Sequence, residues 1–262
     1  MTFNLKKIYK DKIFKNYNVV VTGSEGKLGK KIVDLYRLFD ANLILIDKVD
    51  ASKKYNNKKN INYFKCNFEN IKDIKILIDS INKKFKKINI LINNAAYTGS
   101  DTSWIKPFGK QKIEDWNKVF KVNLDISFQI SQGLSKKLIK SNGSIINIGS
   151  TFATNIPNMK NYKGTKMGSP AAYSVSKNGL MHLTKWLSVN FAPKVNVNMI
   201  SPGGIERNQN KKFKKKYIYS IPMNRMCNEE DLFGIIMLLS NKHLSKYITG
   251  QNIIVDGGNS AL

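Results

Sequence analysis

Seven short apolar runs alternate with segments of helical period from residue 17 to the end of the chain, and this alternation restricts the fold more than any other feature. The runs are Asn18 to Val21, Leu43 to Ile46, Tyr63 to Cys66, Ile88 to Ile92, Ser144 to Ile148, Val195 to Ile200 and Asn252 to Val255. A strand of near-continuous apolar character is stable where both faces are covered, as in a parallel sheet with crossover helices on either side. Between the runs, Leu28, Ile32, Leu35, Tyr36 and Phe39 recur at helical spacing, as do Leu180, Leu183 and Leu187. The pattern predicts an α/β fold: a single doubly wound Rossmann-type domain, with helices on both faces of a parallel sheet of about seven strands. A length of 262 residues with 42% hydrophobic content suits one such domain over residues 1–262, with residues 1–16 as an N-terminal extension.

Ligands of open parallel sheets bind beyond the carboxyl ends of the strands, so the residues after each run matter most. They are Gly23-Ser-Glu-Gly26, Asp47, Asn67, Asn93-Asn94-Ala95-Ala96, Ser150 and Ser201-Pro202-Gly203-Gly204, six polar or glycine-rich loops along one rim. Together they describe a single crevice. Glycines 23, 26 and 29, with Leu28 between the last two, lie between a strand and a helix, where glycine allows a tight turn and helix N-terminal amides favour a pyrophosphate. Asp47 ends the next strand 24 residues after Gly23, the placement of the acid that binds adenosine ribose in a dinucleotide fingerprint. A carboxylate there accepts both ribose hydroxyls and repels a 2′-phosphate, so NAD is favoured over NADP. Glu25 adds a second negative charge, which Lys48 softens.

Tyr173 and Lys177 stand four residues apart in a helical segment, so phenol and ammonium face the same side. Small neighbours (Ala171, Ala172, Ser174, Ser176, Gly179) permit close approach by a ligand. A free phenol, with a pKa of about 10, is a poor base at neutral pH. A nearby ammonium and the positive charge of oxidised nicotinamide both favour phenolate, which suits a tyrosine acid/base beside a bound dinucleotide.

Taken together, Thr22-Gly23 with Gly26 and Gly29, Asn93 to Ala96, Asn123 in Lys-Val-Asn-Leu, Ser150 in Ile-Asn-Ile-Gly-Ser, Tyr173 to Lys177, Ser201-Pro202-Gly203 and the tail Thr249 to Gly258 resemble the short-chain dehydrogenase/reductases, from about residue 14 onward. The resemblance implies that Tyr173 is the general acid/base, that Lys177 binds nicotinamide ribose and lowers the tyrosine pKa, that Ser150 bonds the substrate oxygen, and that Asn123 holds a water in a proton relay. It also implies that Asn67 and Phe68 flank adenine, Asn94 to Ala96 line the ribose side, and Pro202, Gly203 and Ile205 face the nicotinamide. Three features depart from the family pattern: the glycine spacing resembles that of the sugar-nucleotide epimerases and dehydratases, Ala96 replaces a glycine, and Glu206 or Arg207 stands where many members carry a threonine. The 23 residues from Ser150 to Tyr173 form a longer link than is usual, and long ordered loops tend to be functional. Residues 151–171 are therefore expected to form a substrate loop and 204–226 a substrate lid, similar to members associated with flagellin-glycan and surface-polysaccharide pathways.

Among 44 basic residues only Arg37, Arg207 and Arg225 are arginine, against 18 acids, for a net charge of +26. The 41 lysines are scattered and arginine, the better bidentate reader, is scarce, so no specific nucleic-acid partner is expected; a field of this sign steers anionic small molecules. The run Lys211-Lys-Phe-Lys-Lys-Lys216 reads as a solvated face. Cys66, Cys227, His182 and His243 share no ligand-like spacing, so no metal is expected. Cys66 reads as a buried strand residue, Cys227 as a loop thiol, His182 as surface or interface, and Trp104 and Trp116 as packing residues. No apolar stretch is long enough for a membrane span, and a cytoplasmic protein is expected. The helices predicted at Ala171 to Phe191 and about Ile113 to Leu138 have broad apolar faces, and the resemblance implies that they pair in a homodimer or homotetramer. The function expected is NAD-dependent interconversion of a secondary alcohol and a ketone on a sugar or anionic sugar derivative. The alternatives are an NADPH-dependent 3-oxoacyl thioester or other carbonyl reductase, a sugar-nucleotide epimerase or dehydratase, and a non-catalytic nucleotide or nucleic-acid binder.

Overall fold

A computed structural model describes residues 13–56, 58–98 and 106–262. Strands β1 (Asn18–Thr22), β2 (Asn42–Asp47), β3 (Ile61–Lys65), β4 (Ile90–Asn93), β5 (Ser144–Ile148), β6 (Asn196–Pro202) and β7 (Asn252–Val255) form one sheet in the order β3-β2-β1-β4-β5-β6-β7. Every pairing is parallel. The connecting helices are α1 (Lys27–Leu38), the single turn α2 (Ser52–Tyr55), α3 (Ile71–Lys84), α4 (Ile113–Phe120), α5 (Ile126–Gly133), α6 (Ser135–Ser141), α7 (Ala171–Phe191), α8 (Lys211–Tyr219) and α9 (Phe233–Ser240). The chain winds outward from β1 to β3 and then returns to place β4 on the other side of β1. Loops leaving β1 and β4 therefore diverge and open a crevice at the carboxyl ends.

The alternation of side chains along each strand sorts the apolar runs into two layers. Val19, Val21, Leu43, Leu45, Ile90 and Ile92 face α1 and α9, meeting Ile32, Leu35, Tyr36, Ile236 and Leu239. Val20, Ile44, Ile46, Leu91, Ile145 and Val197 face the other way, against Ile74, Leu77 and Ile81 of α3, Ile126 and Ile130 of α5, and Leu187 of α7. This double coverage is why the strands are apolar throughout.

The segment predicted as one helix from about Ile113 to Leu138 is divided. A π turn at Lys121–Asp125 separates α4 from α5, and Leu134 separates α5 from α6. Fully buried Asn123 accounts for the first break: it accepts a bond from the Tyr97 N–H at 2.7 Å and donates to Ser176 Oγ at 3.1 Å. Those two distant partners hold the extra residue of the π turn. Gly133, whose Cβ would meet Ile78 at 2.7 Å, lets α5 lie against α3. Cys66 is buried one residue beyond β3, His182 is exposed, and Trp116 stacks on Phe120 with centroids 4.8 Å apart. Trp104 and residues 1–12 lie outside the described residues; Phe14, at the end of the expected extension, is buried against Tyr36 and Phe39. Among the described residues no helix is long and apolar enough to cross a membrane, and no cluster of His, Cys, Asp and Glu suits a metal.

Candidate active site

At the switch point the ends of β1 and β4 are tied together. Thr22 Oγ1 accepts bonds from the N–H groups of Asn94 and Ala95, both at 3.0 Å. Asn94 Nδ2 returns bonds to the carbonyls of Thr22 and Gly23 at 2.9 and 3.0 Å. Gly23 has φ +65°, and a Cβ there would lie 2.8 Å from Ala95 Cα, so both conformation and space require glycine. A Cβ at Gly29 would approach the Gly23 carbonyl oxygen to 2.0 Å, which is why α1 can pack directly on the turn. Helix α1 starts after Gly26 with no side-chain cap and no acid in its first turn. Its N-terminal amides thus face the crevice without a competing side-chain acceptor, an environment suited to a phosphate.

Above this turn lies a cleft of about 920 Å³. Its wall includes every residue expected to contact the cofactor, from Gly23 through Asp47, Asn67, Phe68 and Ala96 to Ile205, together with Ser150. Asn123, expected to hold a relay water, is fully buried next to this wall, its carboxamide bonded to Tyr97 and Ser176. Asp47 is 8% exposed, with Oδ2 accepting from Glu25 N at 2.9 Å and Oδ1 from Val49 N at 3.1 Å. The carboxylate is thereby aimed from the end of β2 into the cleft and retains acceptor capacity for ribose hydroxyls.

Glu25 is more heavily engaged than its sequence position suggests. Its carboxylate accepts from Tyr55 Oη at 2.7 Å and Lys54 Nζ at 3.1 Å, with Lys30 Nζ at 3.7 Å. Burial opposes its ionisation, but the Tyr55 and Lys54 bonds and the neighbouring charges outweigh it and hold the carboxyl below its usual range. Tyr55 in turn stacks on Tyr63, centroids 5.5 Å apart. This group joins α2 and β3 to the glycine turn, a link across residues far apart in the chain.

At the opposite end, Tyr173 sits in the first turn of α7 and Ser150 two residues beyond β5. The phenol is hydrogen bonded with Ser150; burial pushes its pKa up, and the Ser150 bond offsets part of that rise. Ser150 Oγ also accepts from the Phe152 N–H at 3.2 Å. Lys177 is 2% exposed, donates to the Ile148 carbonyl at 2.8 Å, and lies 5.9 Å from the Tyr173 ring centroid. Burial lowers its pKa to about 8. Desolvation is the leading influence on both side chains.

The remaining wall comes from residues the sequence did not single out. Tyr162, Phe213 and Tyr217 form a small cluster with Ile221 and Met226, the Tyr162 and Phe213 centroids 5.1 Å apart and those of Phe213 and Tyr217 5.5 Å apart. Tyr217 Oη accepts from the Gly204 N–H at 2.6 Å, and Lys216 Nζ donates to the Lys163 carbonyl at 2.8 Å. The Lys216 bond and the Tyr162–Phe213 contact fasten α8 onto the link between Ser150 and Tyr173, and the Tyr217 bond ties it to the loop after β6. The available signal was the apolar pair Phe213 and Tyr217, four residues apart in a lysine-rich segment.

A family model described as enoyl-(acyl carrier protein) reductase matches residues 24–260. A 3-oxoacyl-[acyl-carrier-protein] reductase FabG from Buchnera aphidicola is 34% identical over 254 residues, covering 91% of this chain and 95% of that protein. Post-translational flagellin modification protein A from Campylobacter coli is 28% identical over 258 residues, covering 94% and 99%. The crystal structure of a short-chain dehydrogenase from Leptospira borgpetersenii with bound NAD+ superposes with a TM-score of 0.85 at 35% identity, covering 94% of each chain. With the glycine turn fitting a dinucleotide and Ser150, Tyr173 and Lys177 grouped in one cleft, these matches show that the chain belongs to the short-chain dehydrogenase/reductase family of oxidoreductases that use a nicotinamide dinucleotide.

Proposed function

We propose that the protein is an NAD-dependent oxidoreductase interconverting a secondary alcohol and a ketone on a sugar or activated sugar of surface-glycan biosynthesis. The observation that carries this reading is the Tyr173 phenol, bonded with Ser150 in the cleft one helical turn from buried Lys177. The bound nicotinamide supplies or accepts the hydride. In oxidation Tyr173, as phenolate, takes the hydroxyl proton; in reduction the phenol returns it. Ser150, already accepting from Phe152 N–H, keeps its own proton to donate to the substrate oxygen. Lys177 spends one N–H on Ile148 and has others for the nicotinamide ribose. Asn123 holds the water of the proton relay while its carboxamide fixes Tyr97 and the helix that carries Tyr173.

Asp47 holds the adenosine ribose, Asn67 and Phe68 flank adenine, and the rim disfavours a 2′-phosphate, so NAD is preferred. Residues 151–171 and 204–226 form the substrate loop and lid. Support for a glycan role comes from that long loop, from aromatic faces that suit sugar rings, and from the near full-length similarity to the Campylobacter coli protein. A second reading, reduction of a 3-oxoacyl thioester, is favoured by the apolar Phe152, Met167 and Met226 in the wall and by the FabG relatives; the Asp47 carboxylate opposes its NADPH requirement. We place the protein in the cytoplasm, where its two free thiols suit a reducing compartment. Exposed Phe128, Val175, Trp186 and Val189 on α5 and α7 support a homodimer or homotetramer.

The test is a spectrophotometric screen of the purified protein with NAD(H) and NADP(H) against amino-sugars, nucleotide-sugars, polyols and acetoacetyl thioesters. Turnover of a sugar derivative that prefers NAD(H) and disappears in Tyr173→Phe is expected. Turnover of the thioester alone, or an unchanged rate in that variant, overturns the reading.

A further inference from the structure

The cleft is electrostatically divided. Among the described residues its acidic lining side chains are Glu25, Asp47 and Glu69, at or beyond the carboxyl ends of β1, β2 and β3 at the adenosine end. Each is engaged: Glu25 by Lys54 and Lys30, Asp47 by two backbone N–H groups, Glu69 by Lys118 at 3.2 Å. In the half beyond Ser150 and Tyr173 the lining charges among the described residues are Lys166 and Arg207, and no acidic side chain is among the described lining residues there. Lys166 is exposed and has no partner among the described residues.

Arg207 is held in place. Its N–H donates to Gln209 Oε1 at 2.6 Å and Gln209 Nε2 donates to the Ile205 carbonyl at 2.8 Å, closing residues 205–209 on themselves. Glu206 N and Cys227 N bond across to Cys227 and Gly204 carbonyls at 2.7 and 3.1 Å, anchoring that turn to the 227 segment. The guanidinium is bound along one edge only: Nη1 donates to the Glu206 carbonyl at 2.7 Å and pairs with Glu229 at 2.6 Å. Nη2 and Nε have no partner among the described residues, leaving a rigid fork with unspent donors at the substrate half of the cleft, the arrangement that recognises a planar or tetrahedral oxyanion.

We propose that the substrate carries a phosphate or carboxylate, that Arg207 assisted by Lys166 holds this anion, and that the uncharged remainder lies on the Tyr162, Phe213 and Tyr217 wall. The proposal deepens the oxidoreductase reading and rests on it for the position of the reacting carbon. Glu229 orients the guanidinium from outside, so Arg207 also has a structural contact, and the test must separate the two roles.

The experiment is calorimetric titration of the NADH-saturated enzyme with matched probes: glucose 6-phosphate against glucose, gluconate against glucitol, and UDP-glucose and acetoacetyl-coenzyme A as anions of other origin. The charged member of at least one pair is expected to bind about tenfold or more tightly than its neutral partner. Arg207→Gln and Lys166→Gln each reduce that ratio severalfold with NADH affinity unchanged, and Arg207→Lys, which keeps charge but not the fork, recovers part of it. Equal binding of charged and neutral members, or a ratio that survives both glutamine variants, overturns the anion site. Lys166→Gln alters an exposed side chain and keeps the test decisive if Arg207→Gln proves unstable. The pattern among the probes tells a sugar phosphate from a carboxylate, a nucleotide diphosphate or a coenzyme A thioester. Arg207-dependent anion binding without Tyr173-dependent turnover of any probe would sink the oxidoreductase reading alone; Tyr173-dependent turnover of the charged probes by Arg207→Gln and Lys166→Gln with wild-type KM would sink the anion site alone.

Discussion

Two ionisable groups one helical turn apart are displaced in opposite directions by the same cause. Burial raises the Tyr173 phenol and lowers the Lys177 ammonium to about 8, because each charged form loses water that few protein groups replace. Because burial raises the Tyr173 phenol, alcohol oxidation, which needs the phenolate, should accelerate as pH rises. Replacing Tyr173 by Phe removes the proton carrier alone, so kcat should fall by about 10²–10⁴-fold while NADH titration shows little change. Lys177 makes a separate prediction about stability. Between about 8 and 10.5 the unfolded chain holds this proton and the folded one does not, so stability rises with pH across that window. Below about 8 the whole penalty persists, on the order of 3 kcal/mol. Urea unfolding of the apoprotein from about pH 7.5 to about 9.5, with tyrosine ionisation common to both proteins, should show wild type gaining on Lys177→Met as pH rises; a constant difference between the two would contradict the burial.

At the scale of elements, the glycine turn and α8 show two ways in which a segment serves the cleft. The turn is rigid, with Gly23 at φ +65° and backbone 2.8 Å from its absent Cβ. Gly23→Val should add strain of about 1–3 kcal/mol and abolish NADH binding by displacing Ala95 from Thr22, measurable by NADH fluorescence and by thermal unfolding. Helix α8 belongs instead to a small satellite core separate from the two sheet layers. Phe213→Ala should therefore raise substrate KM by about tenfold or more through loss of the lid contact with Tyr162, with NADH affinity and melting temperature nearly unchanged. A melting temperature falling as far as for a sheet-core truncation would show that the lid is not energetically separate. The lysine run reads as a solvated face because five of its six residues are cations; its amphipathic character appears once Tyr217 is included and Tyr162 is seen to be its partner. The helix expected over 113 to 138 is interrupted for a related reason, since the bonds that shape the π turn come from Tyr97 and Ser176.

Over the whole molecule, a net charge of +26 on a 262-residue chain is a long-range field and not a site. Such a field raises the encounter rate of anions and is screened beyond about 10 Å at 0.1 M salt. For an anionic substrate, kcat/KM should drop severalfold between 20 and 300 mM salt while that of a neutral analogue holds level, a comparison that stopped-flow or steady-state rates decide. Equal slopes for both would mean that the surface charge does not reach the cleft.

The order of strands and helices, the crevice at their carboxyl ends, the glycine turn with Asp47, and the four-residue step from Tyr173 to Lys177 are all readable from the chain itself. Periodicity, turn chemistry and the reach of one helical turn act over a few residues, and strand loops converge on one rim whenever the sheet is parallel. What only the folded molecule decides is how strongly each group is desolvated and which distant partner it meets. Tyr55 and Lys54 come to Glu25, Tyr162 comes to Phe213, Glu229 comes to Arg207, and Tyr97 and Ser176 come to the Asn123 carboxamide. These meetings join residues separated by tens of positions, and electrostatics and hydrogen bonding depend on that final proximity and on the exclusion of water, which no local pattern encodes.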